Sequence, residues 1–492
     1  MPRLSAILAG GLACLLLLSS LAHASEQVPA QPVQPAQSIR EALDYYADWV
    51  GFRQQYLRVP GVQLAVRIDG KEVLAKSYGL ADVEHEIPLT NAHLFRVASH
   101  SKSYTAVAVM QLAESGKLRL DDTAGQWLPW LKASGSTLSD ATVRELLSHA
   151  SGVIRDGHES DFWQLAKVFP DRGALRNELL AQTAAVIPAN QRSKSSKVAC
   201  SLLGLVVEAA SGQSYGDLLQ QAVVDKLGLR NTGPDLDRSR LGEFATGYTG
   251  LGYSPTRVPF DHIDTAAMAA ATGFYANASD LSNFFSALAL GDNRLLSDAS
   301  KRRMQQPLWA NGDGRSHYGL GMAISKIGDR TLVGHSGGFP GFITMTLVDP
   351  QARITVSALT NAIDGPAGQL AQGAFHLINL AVKPPVADAP SPERLRRFTG
   401  RYATYFAVVD IVVLGGRLYM ISPTSADPAS GATPLAYVDE HTLRVDGGNG
   451  GSYGEPMVFT FDRDGAVTSM RLGGRYVPLR DFKLPDRVRL AP

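Results

Sequence analysis

Ser99 and Lys102 stand three residues apart in the run Phe95-Arg96-Val97-Ala98-Ser99-His100-Ser101-Lys102-Ser103-Tyr104, a spacing that puts a hydroxyl and an amine on one face of a helix turn. Together they form a nucleophile and its base. A serine hydroxyl is inert at neutral pH until a neighbour takes its proton, and a lysine does this only where its surroundings leave the amine neutral. Burial supplies that condition. Residues 106–113 are apolar nearly all round and lead to Ser115-Gly116, which predicts a buried helix closed by a glycine cap. Ser99 then lies at its N-terminus, where free N–H groups favour developing negative charge. A bare Ser-x-x-Lys also fits an ordinary capping serine followed by a solvated lysine, so the pair gains meaning only from the rest of the chain.

The elements that must position this pair come from both ends of a long segment. Ser38 is placed to cap a helix through Ile39, Leu43 and Trp49, and residues 62–68 and 73–78 flank an Asp69-Gly70 turn, which reads as a hairpin. Val62, Leu64, Val66 and Ile68 alternate with polar or small residues, predicting one buried face. Residues 140–290 read as mostly helical; 321–327, 331–333, 342–348 and 354–359 return to strands, and 365–382 form a long helix. Strands at both ends with helices between predict an α+β domain over 38–383, a sheet flanked by helices with a helical subdomain. A Pro/Ala-rich linker at 384–391 follows. Beyond it, hairpins at 408–421 and 458–472 and the run Arg475-Tyr476-Val477 predict a separate all-β domain over 392–492, a small antiparallel barrel.

A chain of 492 residues is long enough for two domains, and its net charge of +1, with no basic stripe carrying interleaved aromatics, gives no electrostatic case for nucleic acid. Arg3, the apolar stretch after it and Ala22-His23-Ala24 read as a secretory signal over residues 1–24. The mature protein then starts near Ser25 with a Pro/Gln-rich linker to residue 37, in the bacterial periplasm or secreted, with no stable membrane insertion. If the signal is not cleaved, the same stretch is a membrane anchor. Removal of Cys14 leaves Cys200 as the only cysteine, excluding an intramolecular disulfide, and its apolar surroundings predict a buried, inert thiol. Histidines are scattered without ligand spacing, so neither a metal nor another cofactor is expected.

Four segments resemble the serine β-lactamase and penicillin-binding-protein superfamily, in its class C-like branch of D-alanyl-D-alanine carboxypeptidases, D-aminopeptidases and esterases. They are residues 95–106; Glu145-Leu146-Leu147-Ser148-His149-Ala150-Ser151-Gly152; Ala270-Ala271-Thr272-Gly273-Phe274-Tyr275 with Asp280-Leu281; and Gly334-His335-Ser336-Gly337-Gly338-Phe339-Pro340-Gly341-Phe342. The resemblance spans roughly residues 40–382 and implies an antiparallel sheet. It also implies that Ser99 is acylated, that Lys102 is its base, and that the Ser99 and Gly338 amides form the oxyanion hole, each donor worth about 10² to 10³ in rate. His335, Ser336 and Gly337 would line the substrate-binding strand, His335 where many relatives carry lysine. His149 reads as a helix-end histidine bonded to backbone.

The family's second catalytic motif, Tyr-x-Asn ahead of a Leu-Leu-Gly helix, is absent: counting back from Leu202-Leu203-Gly204 lands on Ser195-Ser196-Lys197. A general acid or base contributes about 10² to 10⁴ in rate. Three readings stay open. In one, Lys197 and Ser195 form a substitute proton shuttle: a second ammonium about 4 Å from Lys102 costs about 4 kcal/mol at an effective dielectric near 20, roughly three pK units, enough to leave one amine neutral. In another, the protein is a weakened or inactive pseudoenzyme that binds a peptidoglycan-like ligand. In the third, an insertion shifts the alignment and Lys194 or another side chain serves instead. The expected function is hydrolysis of amide or ester bonds in small peptide-like or D-amino-acyl substrates through an acyl-enzyme.

Overall fold

A computed structural model of the chain describes residues 35–310, 314, 316–384, 390–448 and 451–488. The expected signal and most of the linker after it lie outside the described residues, as do residues 385–389 of the second linker. No helix among the described residues is long and apolar enough to cross a membrane.

Nine antiparallel strands form the main sheet, in the spatial order Ile87–Pro88, Lys71–Asp82, Gly61–Ile68, Ile354–Thr360, Phe342–Asp349, Arg330–Phe339, Ala323–Ile327, His317–Tyr318 and Trp309–Ala310. The Gly61–Ile68 strand pairs with Ile354–Thr360 in the register Val62↔Thr360 to Ile68↔Ile354, so the two ends of the segment meet at the centre of the sheet. Both faces are covered. Val62, Leu64 and Val66 enter one core and Ala65 the other. The expectation of a single buried face on this strand is therefore corrected: Gln63 between them is also buried, its amide donating to the carbonyls of Thr90 (2.8 Å) and His93 (3.2 Å) and accepting from the Ala278 amide (2.6 Å).

On one face lie the helices Pro35–Tyr56 and Ala367–Ala381, whose Trp49 and Phe375 join the first core. Their packing requires glycine at 373, where a Cβ would come 2.5 Å from the Trp49 ring. The first helix begins at Pro35, ahead of the expected Ser38 start, because the first helical turn has no intrahelical use for the amide that proline lacks. On the other face sits the helical subdomain, built around Ser101–Glu114 and Lys197–Ser211. Ser101–Glu114 is buried on every side through Met110, and closes where Gly116 takes φ +71°.

The C-terminal region is a closed eight-strand antiparallel barrel, Gly400–Ala403 pairing with Gly474–Pro478 to complete the ring. Its interior holds Phe398, Tyr402, Ile411, Val413, Leu443, Met457, Phe459 and Met470. Alternate residues of Val408–Leu414 point outward instead, and Val412 and Leu414 pack with Tyr419 and Ile421 into the core of the Pro35–Tyr56 and Ala367–Ala381 helices. The barrel thus sits on the sheet face opposite the Ser101–Glu114 helix. Tyr45 donates to Asp410 at 2.8 Å, and the Gly415 amide to Glu41 at 3.2 Å, across this junction.

Candidate active site

Ser99 lies in the 3-10 turn Ala98–His100 that runs straight into the Ser101–Glu114 helix, and it is half-buried while its neighbours on both sides are fully enclosed. Ala98 holds a left-handed backbone, φ +46°, a conformation that a residue with a Cβ keeps only when its surroundings enforce it. They do so here through a short circuit of bonds. The Ser101 hydroxyl donates to the Ala98 carbonyl (2.6 Å) and accepts from the Phe274 amide (3.0 Å), and the Val97 amide donates to the Phe274 carbonyl (3.0 Å).

Lys102 Nζ stands 2.7 Å from Ser99 Oγ. Burial drives the amine down from its ordinary value to about 8; the ammonium of Lys197 and the guanidinium of Arg155 push the same way, against Cys200 and Asp156. About a tenth of the amine is then neutral at pH 7, the state a base requires.

The strand Arg330–Phe339 walls the site. It pairs with Ala323–Ile327 only from Arg330 to Gly334, so among the described residues 335–339 have no strand partner on that side, while Phe342–Asp349 pairs with them on the other. Ser336 and Gly338 are exposed on this free stretch, and His335, Gly337 and Phe339 are buried. Glycine at 337 is a packing requirement: a Cβ would lie 2.2 Å from the Val97 carbonyl oxygen and 2.4 Å from Thr344 Oγ1. The strand therefore abuts the very turn that carries Ser99. Gly321, at φ +67°, does likewise on the helix, its absent Cβ falling 2.4 Å from that of Ala106.

His335 is engaged at both ring nitrogens, Nδ1 with the Ser336 carbonyl (2.7 Å) and Nε2 with the Tyr318 hydroxyl (3.0 Å). The first contact makes Nδ1 the donor, so Nε2 accepts from the phenol. Burial, then the charges of Lys102 and His100, hold this imidazole well below its ordinary pKa, hence neutral. In this arrangement His335 braces the strand and has no free nitrogen for a substrate group.

Lys197 opens the Lys197–Ser211 helix, with Ser196 as N-cap, its hydroxyl accepting from Ala199 (2.9 Å) and donating to the Ile154 carbonyl (2.6 Å). Its ammonium is caged. Asp156 Oδ1 takes it at 2.7 Å and also accepts from the Trp163 indole at 3.1 Å, while the Trp163 ring lies 4.1 Å beneath the charge. Arg155 bonds the other oxygen, Oδ2, at 3.0 Å. Burial raises the Asp156 carboxyl but these cations outweigh it, leaving it below the ordinary carboxylate value; burial lowers Lys197, and Asp156 offsets part of that. Ser195 is exposed. Lys194 keeps its ammonium partly exposed, and its amide donates to the His149 carbonyl at 2.8 Å.

Cys200, one turn beyond Lys197, is buried near the same amines, and burial pushes its thiol up to about 11, as expected for an inert group. His149 meets expectation only in part. It is 4% exposed with φ +62°, its Nδ1 has no hydrogen-bond partner among the described residues, and its ring lies 4.7 Å from that of Tyr318. His149 does follow the end of the Val143–Leu147 helix, in the left-handed conformation that closes many helices, with the Ala150 amide donating to the Glu145 carbonyl at 2.8 Å; what differs is that its Nδ1 makes no bond to backbone. Asp156, Trp163 and Tyr318 were missed in the sequence. Tyr318 had a signal, the Tyr-Gly-Leu-Gly run ahead of the strand; Asp156, on a loop, and Trp163, on the short 3-10 turn Asp161–Gln164, had none. No group of three or more His, Cys, Asp or Glu among the described residues is placed to hold a metal ion.

The profile of the Beta-lactamase family matches residues 49–377. Penicillin-binding protein 4* of Bacillus subtilis (strain 168) is 28% identical over 338 residues, 66% of this chain and 72% of that protein. Among solved structures, the octameric penicillin-binding protein homologue from Pyrococcus abyssi superposes with a TM-score of 0.61 at 23% identity, covering 88% of this chain and 99% of its own. The D-amino acid amidase from Ochrobactrum anthropi SV3 superposes with a TM-score of 0.58 at 21% identity, covering 71% of this chain and 100% of its own.

Proposed function

The chain belongs to the Beta-lactamase family, and from that premise we propose that it is an exported serine hydrolase that cleaves amide or ester bonds of small peptide-like or D-amino-acyl substrates through an acyl-enzyme on Ser99. The observation that carries this reading is the 2.7 Å contact between Ser99 Oγ and a buried Lys102 amine with a pKa of about 8. Lys102 takes the hydroxyl proton as Oγ attacks the carbonyl carbon. The Ser99 and Gly338 amides receive the oxyanion, a role supported by the free edge of residues 335–339 beside the Ala98–His100 turn. Collapse expels the leaving group, and water then hydrolyses the Ser99 ester. Lys197 acts by its charge: held against Asp156 and Trp163, its ammonium favours the neutral form of Lys102, while the exposure of Ser195 weighs against a relay there. Resemblance to the D-amino acid amidase supports the substrate class.

A second reading, the ligand-binding pseudoenzyme, draws on the exposed serine at 195 where the family places a tyrosine. Incubation with a fluorophosphonate followed by intact-protein and peptide mass spectrometry separates the two. A single adduct on Ser99, lost in Ser99→Ala, together with turnover of a D-amino-acid amide or simple ester, is expected for the hydrolase. An unlabelled wild-type protein leaves the pseudoenzyme.

A further inference from the structure

We propose that Tyr318 is a positioning residue of this site: its hydroxyl fixes the His335 imidazole in one tautomer, and the imidazole holds the Ser336 carbonyl and with it the strand edge that presents the Gly338 amide. The inference rests on the serine-hydrolase reading above. Two hairpins set which way that edge faces. Arg330 closes on Ile327 across Gly328-Asp329, Phe339 closes on Phe342 across Pro340-Gly341, and bonding alternates along an antiparallel pair. His335, Gly337 and Phe339 therefore direct their backbone groups toward Phe342–Asp349, while Ser336 and Gly338 direct theirs to the side left unpaired among the described residues. There His335 Nδ1 donates to the Ser336 carbonyl at 2.7 Å. Gly338 keeps its amide for the reacting carbonyl.

An edge of this composition needs such a hold. Gly337 and Gly338 have no side chain to restrict the backbone. Contact of Gly337 with the Val97 carbonyl sets the distance to the Ser99 turn, and the peptide plane between Ser336 and Gly337, gripped by His335, sets the direction. Tyr318 has its own footing on the nucleophile helix. The turn that follows it lays Gly321 against that helix: the Ser103 hydroxyl donates to the Gly321 carbonyl at 2.7 Å, and a Cβ on Gly321 would come 3.0 Å from the Lys102 carbonyl oxygen. The phenol thus spans from the Lys102-Ser103 segment to the strand, its hydroxyl 3.0 Å from His335 Nε2. Donation to Nε2 keeps the ring proton on Nδ1, the tautomer that can bond the Ser336 carbonyl. Burial raises the phenol well above its ordinary pKa, so it keeps the proton it donates, and the His149 ring backs it at 4.7 Å. A displaced oxyanion donor weakens the transition state more than the bound ground state, so the hydroxyl acts on kcat rather than KM.

The test measures steady-state turnover of a D-amino-acid anilide by wild type, Tyr318→Phe, His335→Asn and the double variant, with the ring nitrogens read by NMR of protein carrying nitrogen-labelled histidine. Tyr318→Phe removes a single oxygen and should lower kcat about 10 to 10²-fold with KM within about twofold. Asparagine at 335 keeps a donor near the Nδ1 position but nothing in place of Nε2, so adding Tyr318→Phe to it should cost less than about twofold more. In wild type the His335 signal, identified by its absence from His335→Asn, should be that of the Nδ1–H tautomer, and in Tyr318→Phe it should move toward a mixture. A kcat for Tyr318→Phe within about twofold of wild type, a loss carried by KM, or additive losses in the double variant overturns the positioning role while the hydrolase reading stands. So does an Nε2–H tautomer in wild type, a result that needs no variant at 318, or an unaltered tautomer in Tyr318→Phe. Absence of turnover and of fluorophosphonate labelling in wild type overturns both.

Discussion

At the residue scale the site is a small society of amines and imidazoles whose protonation is set by burial and mutual charge. If neutral Lys102 is the base, turnover rises as pH approaches about 8 and levels off above it, because the ammonium form present at lower pH has no lone pair. Lys197 lowers that pKa, so Lys197→Met should move the inflection of the pH–rate profile to higher pH and reduce the rate at pH 7. A profile unmoved by the substitution would remove Lys197 from the electrostatics of the base. The same burial makes the histidines acid-sensitive. His100 is held down to about 4 and His149 to about 3, below the ordinary imidazole value, so both states are neutral above pH 7 and only the unfolded chain gains protons as pH falls below about 6.5. Each such histidine then removes about 1.4 kcal/mol of stability per pH unit between the unfolded and folded values. Urea unfolding at pH 7 and pH 5 should show this decline; equal stabilities would contradict it.

At the element scale, what matters is how closely the Arg330–Phe339 strand approaches the Ala98–His100 turn. Glycine at 337 sets that distance, since its Cβ would overlap the Val97 carbonyl and Thr344. Gly337→Ala should force strand and turn apart, lowering turnover about 10²-fold through misplacement alone and costing about 1 to 3 kcal/mol of stability. Alanine at Ser336 should leave stability within about 0.5 kcal/mol, because that residue is exposed. Steady-state kinetics and thermal melts on the pair decide it, and equal activity of Gly337→Ala and wild type would mean the strand does not frame the reacting carbonyl.

For the whole molecule, the barrel and the α+β domain share a core while each keeps its own. The ring closes on itself through Gly400–Ala403 and Gly474–Pro478 around a filled interior. A fragment of residues 392–492 should therefore give β-type circular dichroism and a cooperative transition. It should also self-associate, since Val412, Leu414, Tyr419 and Ile421 lose the helices that cover them in the full chain. An unfolded fragment would make the barrel a dependent layer of the whole. Its seat on the far face of the sheet keeps it clear of Ser99.

Motif order and local pattern carried much of this protein. Ser99, Lys102 and the glycine-rich strand are legible because their chemistry depends on neighbours in sequence, a helix turn for the first two and an extended run for the third. The central strands and long helices are legible for the same reason, from apolar runs and turn residues. Three barrel strands, Gly400–Ala403, Thr433–Asp439 and Thr442–Val445, escaped notice because two are only four residues long and the other carries a proline, so none shows a period; ring closure gives them their partners. The surroundings of Lys197 were beyond reach of the sequence, since Asp156 and Trp163 meet it from a distant segment, Asp156 from 41 positions away. The inward turn of His149 and the full engagement of His335 were equally hidden. Local sequence fixes which groups a segment presents, but only packing of distant segments decides which of them meet, how far each is desolvated, and therefore which proton each can hold.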